Sequence, residues 1–240
     1  MKPIICITCD RRNQGPTPKN TTKIRPARPE VFIKEALVQS IIQAGGVPFL
    51  IPPLSTSIDS IVEHILHISD GVVISGGAFD ISPHHYGQSQ KSRLDHIDEN
   101  RTGLELQLAR RCVEEQKPLL GICGGMQVMA VATGGSLIQD IGTEIPNALE
   151  HEQPTDPIEG WHDVLFSTGQ LHDIYGSKIR VNSTHHQSVD HPGAFVVTGK
   201  SPDGVAEAFE HPKQKCSIGV QWHPEFIDGK IFQYLIHCSL

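Results

Sequence analysis

Apolar residues along this chain recur with two periods that alternate. Short runs such as "PIICIT", "VPFLIP", "GVVISGG" and "PLLGIC" are dense in Ile, Val and Leu over strand-like lengths. Between them lie longer stretches whose apolar positions return every three or four residues. In "RPEVFIKEALVQSIIQAGG", Val31, Ile33, Ala36, Leu37, Ile41 and Ala44 fall near helical spacing, Pro29 and Glu30 suit a helix start, and Gly45 and Gly46 suit a stop. The whole segment is therefore predicted as the first helix. "SIDSIVEHILHIS", residues 100–116 and "GGMQVMAVATGG" predict three more helices, while residues 78–97 read as irregular. Near-continuous apolar strands alternating with helices imply a parallel sheet covered on both faces.

Beyond Gly142 the pattern changes. A polar loop through Gly160 leads into shorter alternating runs, "HDVLFS", "KIRVNS", "AFVVTGK", "VAEAFE" and "CSIGVQW", and then a final helix in "DGKIFQYLIHCSL". Such runs predict an antiparallel extension of the parallel sheet. At 240 residues the chain suits one α/β domain, spanning 1–240.

Composition narrows the function classes. No apolar run approaches the ~18 residues of a membrane span, and "PIICIT" is too short for a signal-peptide core, so a protein of the cytoplasm is expected. The six cysteines form no dense framework, and Cys6 and Cys9 lack a second pair at zinc-ribbon spacing. A formal charge of -7 argues against a nucleic-acid partner. The basic stretch "KNTTKIRPAR", residues 19–28, reads as a solvated loop before a helix.

"GICGG" places Cys123 between glycines where a strand gives way to a helix, the form of a nucleophile elbow. Gly121 and Gly125 have no side chains to clash in so tight a turn. The start of a helix favours an anion, and the amide of Gly124 can donate to an oxyanion. On the elbow alone, a buried small apolar residue is an equal reading of Cys123. "IGVQWHPEF" changes the balance: His223 ends a β-rich run and Glu225 lies two residues on, with Pro224 fixing the backbone between them. Glu225 can then hold one imidazole nitrogen while the other faces a thiol, the order nucleophile, base, orienter.

With "SGGAFDISPHHYG", "GICGGMQVMAVATGGSLIQDI", "VNSTHHQ", "SPDGVAEAFE" and "GVQWHPE", the chain resembles the class I glutamine amidotransferase-like hydrolases, most closely the gamma-glutamyl-gamma-aminobutyrate hydrolase branch, peptidase family C26. The resemblance implies a flavodoxin-like fold and a catalytic Cys123, His223 and Glu225. It also implies an oxyanion hole from Gly77 and Gly124, and a small gamma-glutamyl amide as substrate. Gln127 matches a position lining the glutamyl pocket, and His186 and Gln187 match the branch motif near the site. No cofactor is implied, and a homodimer is left open.

Two positions depart from the branch, which usually has arginine directly after the nucleophile and an Arg-Asp pair on the preceding helix. Here Gly124 follows Cys123 and Thr102 follows Arg101. Because the missing charges are opposite in sign, the two positions are expected to touch. Among the 14 histidines, His84 and His85 are expected to diverge in a solvated loop with no carboxylate to complete a ligand set, and His185 and His186 to serve substrate contact or orientation, with no metal. Two other functions stay open: a glutaminase subunit passing ammonia to a synthetase partner, and a silent binding protein on the same fold.

Overall fold

The computed structural model describes residues 1–13, 29–56 and 58–240. The basic stretch at 19–28 lies outside the described residues. In chain order the elements begin β1 (Ile4–Thr8), β2 (Asp10–Asn13), β3 (Pro29–Phe32), α1 (Glu35–Ala44), β4 (Val47–Ile51), α2 (Ile58–Ile68), β5 (Gly71–Ile74), α3 (Glu99–Glu114), β6 (Leu119–Ile122) and α4 (Gly124–Ala132). They continue with β7 (Ser136–Ile138), α5 (Ile141–Glu144), β8 (His162–Phe166), α6 (Gln170–Tyr175), β9 (Lys178–Val181), β10 (Ser188–His191), β11 (Val196–Lys200), β12 (Ala206–Glu210), β13 (Ser217–Val220) and α7 (Lys230–Cys238).

Nine strands form one sheet in the order β4-β1-β5-β6-β13-β12-β11-β8-β9 among the described residues. Pairing is parallel from β4 to β13 and antiparallel from β12 outward, as the change of pattern after Gly142 implies. Successive side chains of a strand face opposite sides, so each central strand feeds two cores. Ile5, Ile7, Val73, Leu120 and Ile122 pack with residues of α1 and α7, while Cys6, Val72, Ile74 and Leu119 pack with residues of α2, α3 and α4. Helices on both faces of a mixed sheet, parallel through its first five strands and antiparallel beyond them, make this an α/β flavodoxin-like fold. No helix among the described residues is long and apolar enough to cross a membrane.

The first helix is shorter than its periodicity predicts. Pro29–Phe32 is β3, paired antiparallel with β2 through Asp10↔Phe32 and Arg12↔Glu30, and the helix begins only at Glu35. Val31 and Ile33 fit strand alternation as well as helical spacing, and a partner far along the chain decides between them. The stop is as expected: Gly45 sits at φ 101° and its N–H bonds the carbonyls of Ile41 and Ile42. The region read as a polar loop holds the short α5, and β7 pairs with β10 in a separate two-stranded ribbon. The region 78–97 is irregular apart from a 3-10 turn at Pro83–Tyr86.

Candidate active site

β6 and β13 are parallel neighbours, with Ile122 opposite Val220, so the residues that follow them emerge side by side at the carboxyl edge of the sheet. Cys123 follows β6 with φ 52° and ψ −111°, an unfavourable conformation for a residue with a side chain, and its N–H donates to the carbonyl of Val220 at 2.8 Å. The turn needs its glycines. A β-carbon on Gly125 would run into the Ile74 carbonyl, and one on Gly121 would lie 2.7 Å from the Gly125 carbonyl carbon. The first bonds of α4 run from the Met126 and Gln127 amides to the Cys123 carbonyl, so the Gly124 amide precedes the helical ladder.

His223 is the third residue after β13 and is buried. Its Nδ1 lies 2.8 Å from Glu225 Oε1, and Cys123 is near enough to influence the charge on its ring. Burial pulls the imidazole pKa down, but the charges of Glu225 and Cys123 outweigh this and raise it to about 10. The backbone of His223 is clamped at both ends by Asn182, whose Oδ1 accepts from the His223 N–H at 2.8 Å and whose Nδ2 donates to its carbonyl at 3.0 Å. Asn182 belongs to "VNSTHHQ", yet nothing in its own spacing announces this partner, 41 residues away.

Ser75, Gly76 and Gly77 form the loop after β5. A β-carbon on Gly76 would lie 2.7 Å from His223 Cε1 and 3.0 Å from Cys123 Cβ, so the loop passes directly beside both. Arg101, 1% exposed, anchors that loop: its Nη2 donates to the carbonyls of Ser75 at 2.7 Å and Gly76 at 3.1 Å. It also pairs with Glu105 at 2.9 Å and Asp10 at 3.0 Å, which compensates the buried guanidinium. Sequence reasoning noted Arg101 only as half of a motif and missed this anchoring.

Contact between Gly124 and Thr102 is not what occupies the space beside the elbow. The three atoms nearest a β-carbon on Gly124 all belong to Phe79, the first at 3.0 Å, and the Arg101 guanidinium lies 4.0 Å over the Phe79 ring. An aromatic ring held on a buried cation fills the room that a side chain at 124 would need. Gly124→Arg is expected to overpack this site and lower Tm by about 2–10 °C, from a cost of about 1–3 kcal/mol. In a double-mutant cycle Phe79→Ala should couple favourably with it. Additive losses in Tm would show that the ring is not the obstacle.

Two cavities meet at Cys123, sharing Gly77, Ala78 and Thr184 in their walls. The larger, about 310 Å³, runs past His223 toward Phe32, Ile33, Lys34 and Leu37. The smaller, about 170 Å³, is lined by Gly124, Gln127, His186 and Gln187, together with Asp95 and Glu152. Cys123, His223, Glu225, Gly77, Gly124, Gln127, His186 and Gln187 are thus brought to one place. Gln127 Nε2 donates to the Gln187 carbonyl at 3.2 Å and to Gln221 Oε1 at 3.3 Å, which fixes its amide. His186 lies 2.9 Å from Asp80 and 3.5 Å from Asp140, and the bond to Asp80 raises its pKa to about 9 despite partial burial.

His185 turns away from His186, with its Nδ1 3.0 Å from the Gln187 carbonyl and its Nε2 3.6 Å from Glu207. His84 and His85 do not diverge: on the 3-10 turn their rings come together with centroids 3.9 Å apart, and Glu99 supplies a carboxylate 2.9 Å from His85 Nε2.

An elbow cysteine and a His-Pro-Glu turn on adjacent parallel strands, in a flavodoxin-like sheet, define the class I glutamine amidotransferase-like proteins. A solved glutamine amidotransferase from Methylobacillus flagellatus shares this fold, with a TM-score of 0.57 at 18% identity, covering 94% of this chain and 71% of that one. The family model described as Peptidase C26 matches residues 3–225, and the chain belongs to that family. A glutamine amidotransferase-like protein of Rickettsia prowazekii is 32% identical over 99% of this chain and 98% of its own. Gamma-glutamyl-gamma-aminobutyrate hydrolase of Escherichia coli K12 is 34% identical over 81% of this chain and 78% of its own. The chain is a glutamine amidotransferase-like hydrolase of amide bonds.

Proposed function

We propose that this protein hydrolyses the gamma-glutamyl amide bond of small gamma-glutamyl compounds through a thioester on Cys123, releasing glutamate and an amine. The observation that carries the reading is the position of Cys123 where two chemically different cavities meet, with His223 and Glu225 beside it. The smaller cavity suits the glutamyl group: Asp95 and Glu152 complement its α-ammonium, and His186, favoured as imidazolium at neutral pH, complements its α-carboxylate. The larger cavity is left for the departing amine.

In this mechanism the Cys123 thiolate attacks the side-chain carbonyl carbon. Its oxygen takes the negative charge against the amides of Gly77 and Gly124. The C–N bond then breaks as the imidazolium of His223 gives its proton to the nitrogen, and the free amine leaves. Neutral His223 next takes a proton from water, whose oxygen attacks the thioester carbonyl; the C–S bond then breaks, glutamate is released, and Cys123 is left as thiolate beside the His223 imidazolium. The six free cysteines fit a reducing compartment, and the cytoplasm is our assignment.

The test is glutamate release from a panel of gamma-glutamyl amides including glutamine, with intact mass measured after acid quench. Release from several amides by the isolated chain, and a mass gain of one gamma-glutamyl group, are expected. If glutamine alone is cleaved, and only after a synthetase is added, the protein is a glutaminase subunit and this reading fails.

A further inference from the structure

His151, His162, His185 and Glu207 are all buried, and one side-chain atom from each lies within 4.8 Å of the other three. They come from four separate parts of the chain: the loop after α5, the start of β8, the segment between β9 and β10, and β12. Glu207 Oε1 lies 3.3 Å from His151 Nδ1, 3.4 Å from His162 Nε2 and 3.6 Å from His185 Nε2. Despite these separations, none of the three contacts forms a hydrogen bond. Neither oxygen of Glu207, nor His162 Nε2, nor His185 Nε2 has a hydrogen-bond partner, although all are buried.

The far side of each ring explains which atoms carry lone pairs. His151 Nε2 lies 3.0 Å from Asp203 Oδ2, His162 Nδ1 lies 3.3 Å from the Asp163 carbonyl, and His185 Nδ1 lies 3.0 Å from the Gln187 carbonyl. All three partners are acceptors, so each outer nitrogen carries the proton in a neutral ring. The inner nitrogen of each ring then presents a lone pair toward a carboxylate. Four electron-pair donors converging on one buried point repel one another unless a cation lies between them.

The geometry points to a structural zinc site made by His151, His162, His185 and Glu207. A tetrahedral zinc with Zn–N bonds of about 2.05 Å has ligand–ligand edges of about 3.3 Å, close to the three nitrogen–oxygen separations. Three imidazoles and one carboxylate suit zinc, and outer-ring bonds to a carboxylate and backbone carbonyls are what orient metal-bound histidines. Four protein ligands leave no open position, so the ion holds structure and does no chemistry. It fastens the "VNSTHHQ" segment, in which Asn182 clamps His223 and the neighbours of His185 line the smaller cavity, to β12. The site thus gives His185, Asp203 and Glu207 of the "VNSTHHQ" and "SPDGVAEAFE" motifs a role that substrate contact does not.

The test is metal content and stability of the tag-free full-length chain. After dialysis against dipicolinate and reloading with zinc sulfate, it should retain about one equivalent of zinc through desalting, and the reloaded protein should melt several degrees higher. Cobalt(II) in place of zinc should give the visible d–d bands of a four-coordinate site, a reading that needs no variant. His162→Asn should lose the equivalent, whereas His84→Ala/His85→Ala, which removes the more accessible pair beside Glu99, should keep it. Retention below about 0.1 equivalent with unchanged Tm and no cobalt spectrum would overturn the site and leave the cluster filled by protons. Loss of binding only in the His84/His85 variant would overturn it equally, by placing the ion on the exposed turn.

Discussion

Cys123→Ala and Cys123→Ser are both expected to lower kcat by about 10,000-fold or more while leaving the fold intact. Cys123 lies beside His223 where the two cavities meet, so under the proposed mechanism the substitution removes the attacking atom itself. Serine keeps the shape but offers a hydroxyl that ionises far less readily than a thiol. Alanine adopts φ 52° at no greater strain than cysteine does, and the backbone anchor from the Cys123 N–H to Val220 does not involve the side chain. Tm should therefore stay within about 3 °C of the parent, a difference of about 1 kcal/mol or less. Other cysteines are poor substitutes because none of them lines either cavity: burial pushes Cys6 up to about 11 and Cys112 higher still, and Cys238, which its bond to Cys216 lowers to about 6, ends α7 outside both. Glutamate release by Cys123→Ala at more than a small fraction of the parent rate would place the nucleophile elsewhere.

His223→Ala should cost about 100- to 10,000-fold in kcat/KM, and Glu225→Gln distinctly less. An amide at 225 still accepts from His223 Nδ1, but it carries no charge, and its NH2 group would enter the buried space where Glu225 Oε2 has no partner. The pH dependence separates the two roles. Burial alone would lower the His223 pKa, and the charges of Glu225 and Cys123 raise it to about 10. Removing the Glu225 charge lets burial weigh more, so the alkaline limb of the kcat/KM profile should move to lower pH. Stability follows the same sign: because the folded-state pKa is raised, the stabilisation is full below about 6.5 and fades as pH climbs through about 10. Glu225→Gln should therefore lose most stability on the acid side of that window. An unmoved alkaline limb in Glu225→Gln would mean that the carboxylate only packs against the turn.

The Cys123 elbow was legible because its information is local: glycines at 121 and 125 allow a turn that no side chain could enter, and the strand before it and helix after it each declare themselves by period. Pro224 likewise makes the His223–Glu225 relation a property of three consecutive residues. The parallel sheet and its antiparallel extension were readable from the change between unbroken and alternating apolar runs. Where a residue's partner lies far along the chain, this kind of reading fails. Residues 29–32 carry apolar positions that fit a helix, and become β3 only because β2 offers hydrogen bonds. Gly124 looked like one half of an absent charge pair, yet Phe79 is what stands beside it.

The sequence by itself determined the sheet's core strands, the nucleophile elbow and the His-Pro-Glu turn, since periodicity and backbone sterics act over a few residues. Only the tertiary structure decided that Arg101 anchors the Ser75–Gly76 loop, that Asn182 clamps His223, and that three histidines surround Glu207. Each of those relations joins a side chain to groups tens of residues away. Their hydrogen bonds and ion pairs exist only after the sheet has brought its carboxyl ends together and excluded water, because burial is what makes an unpartnered polar group costly enough to select its neighbour.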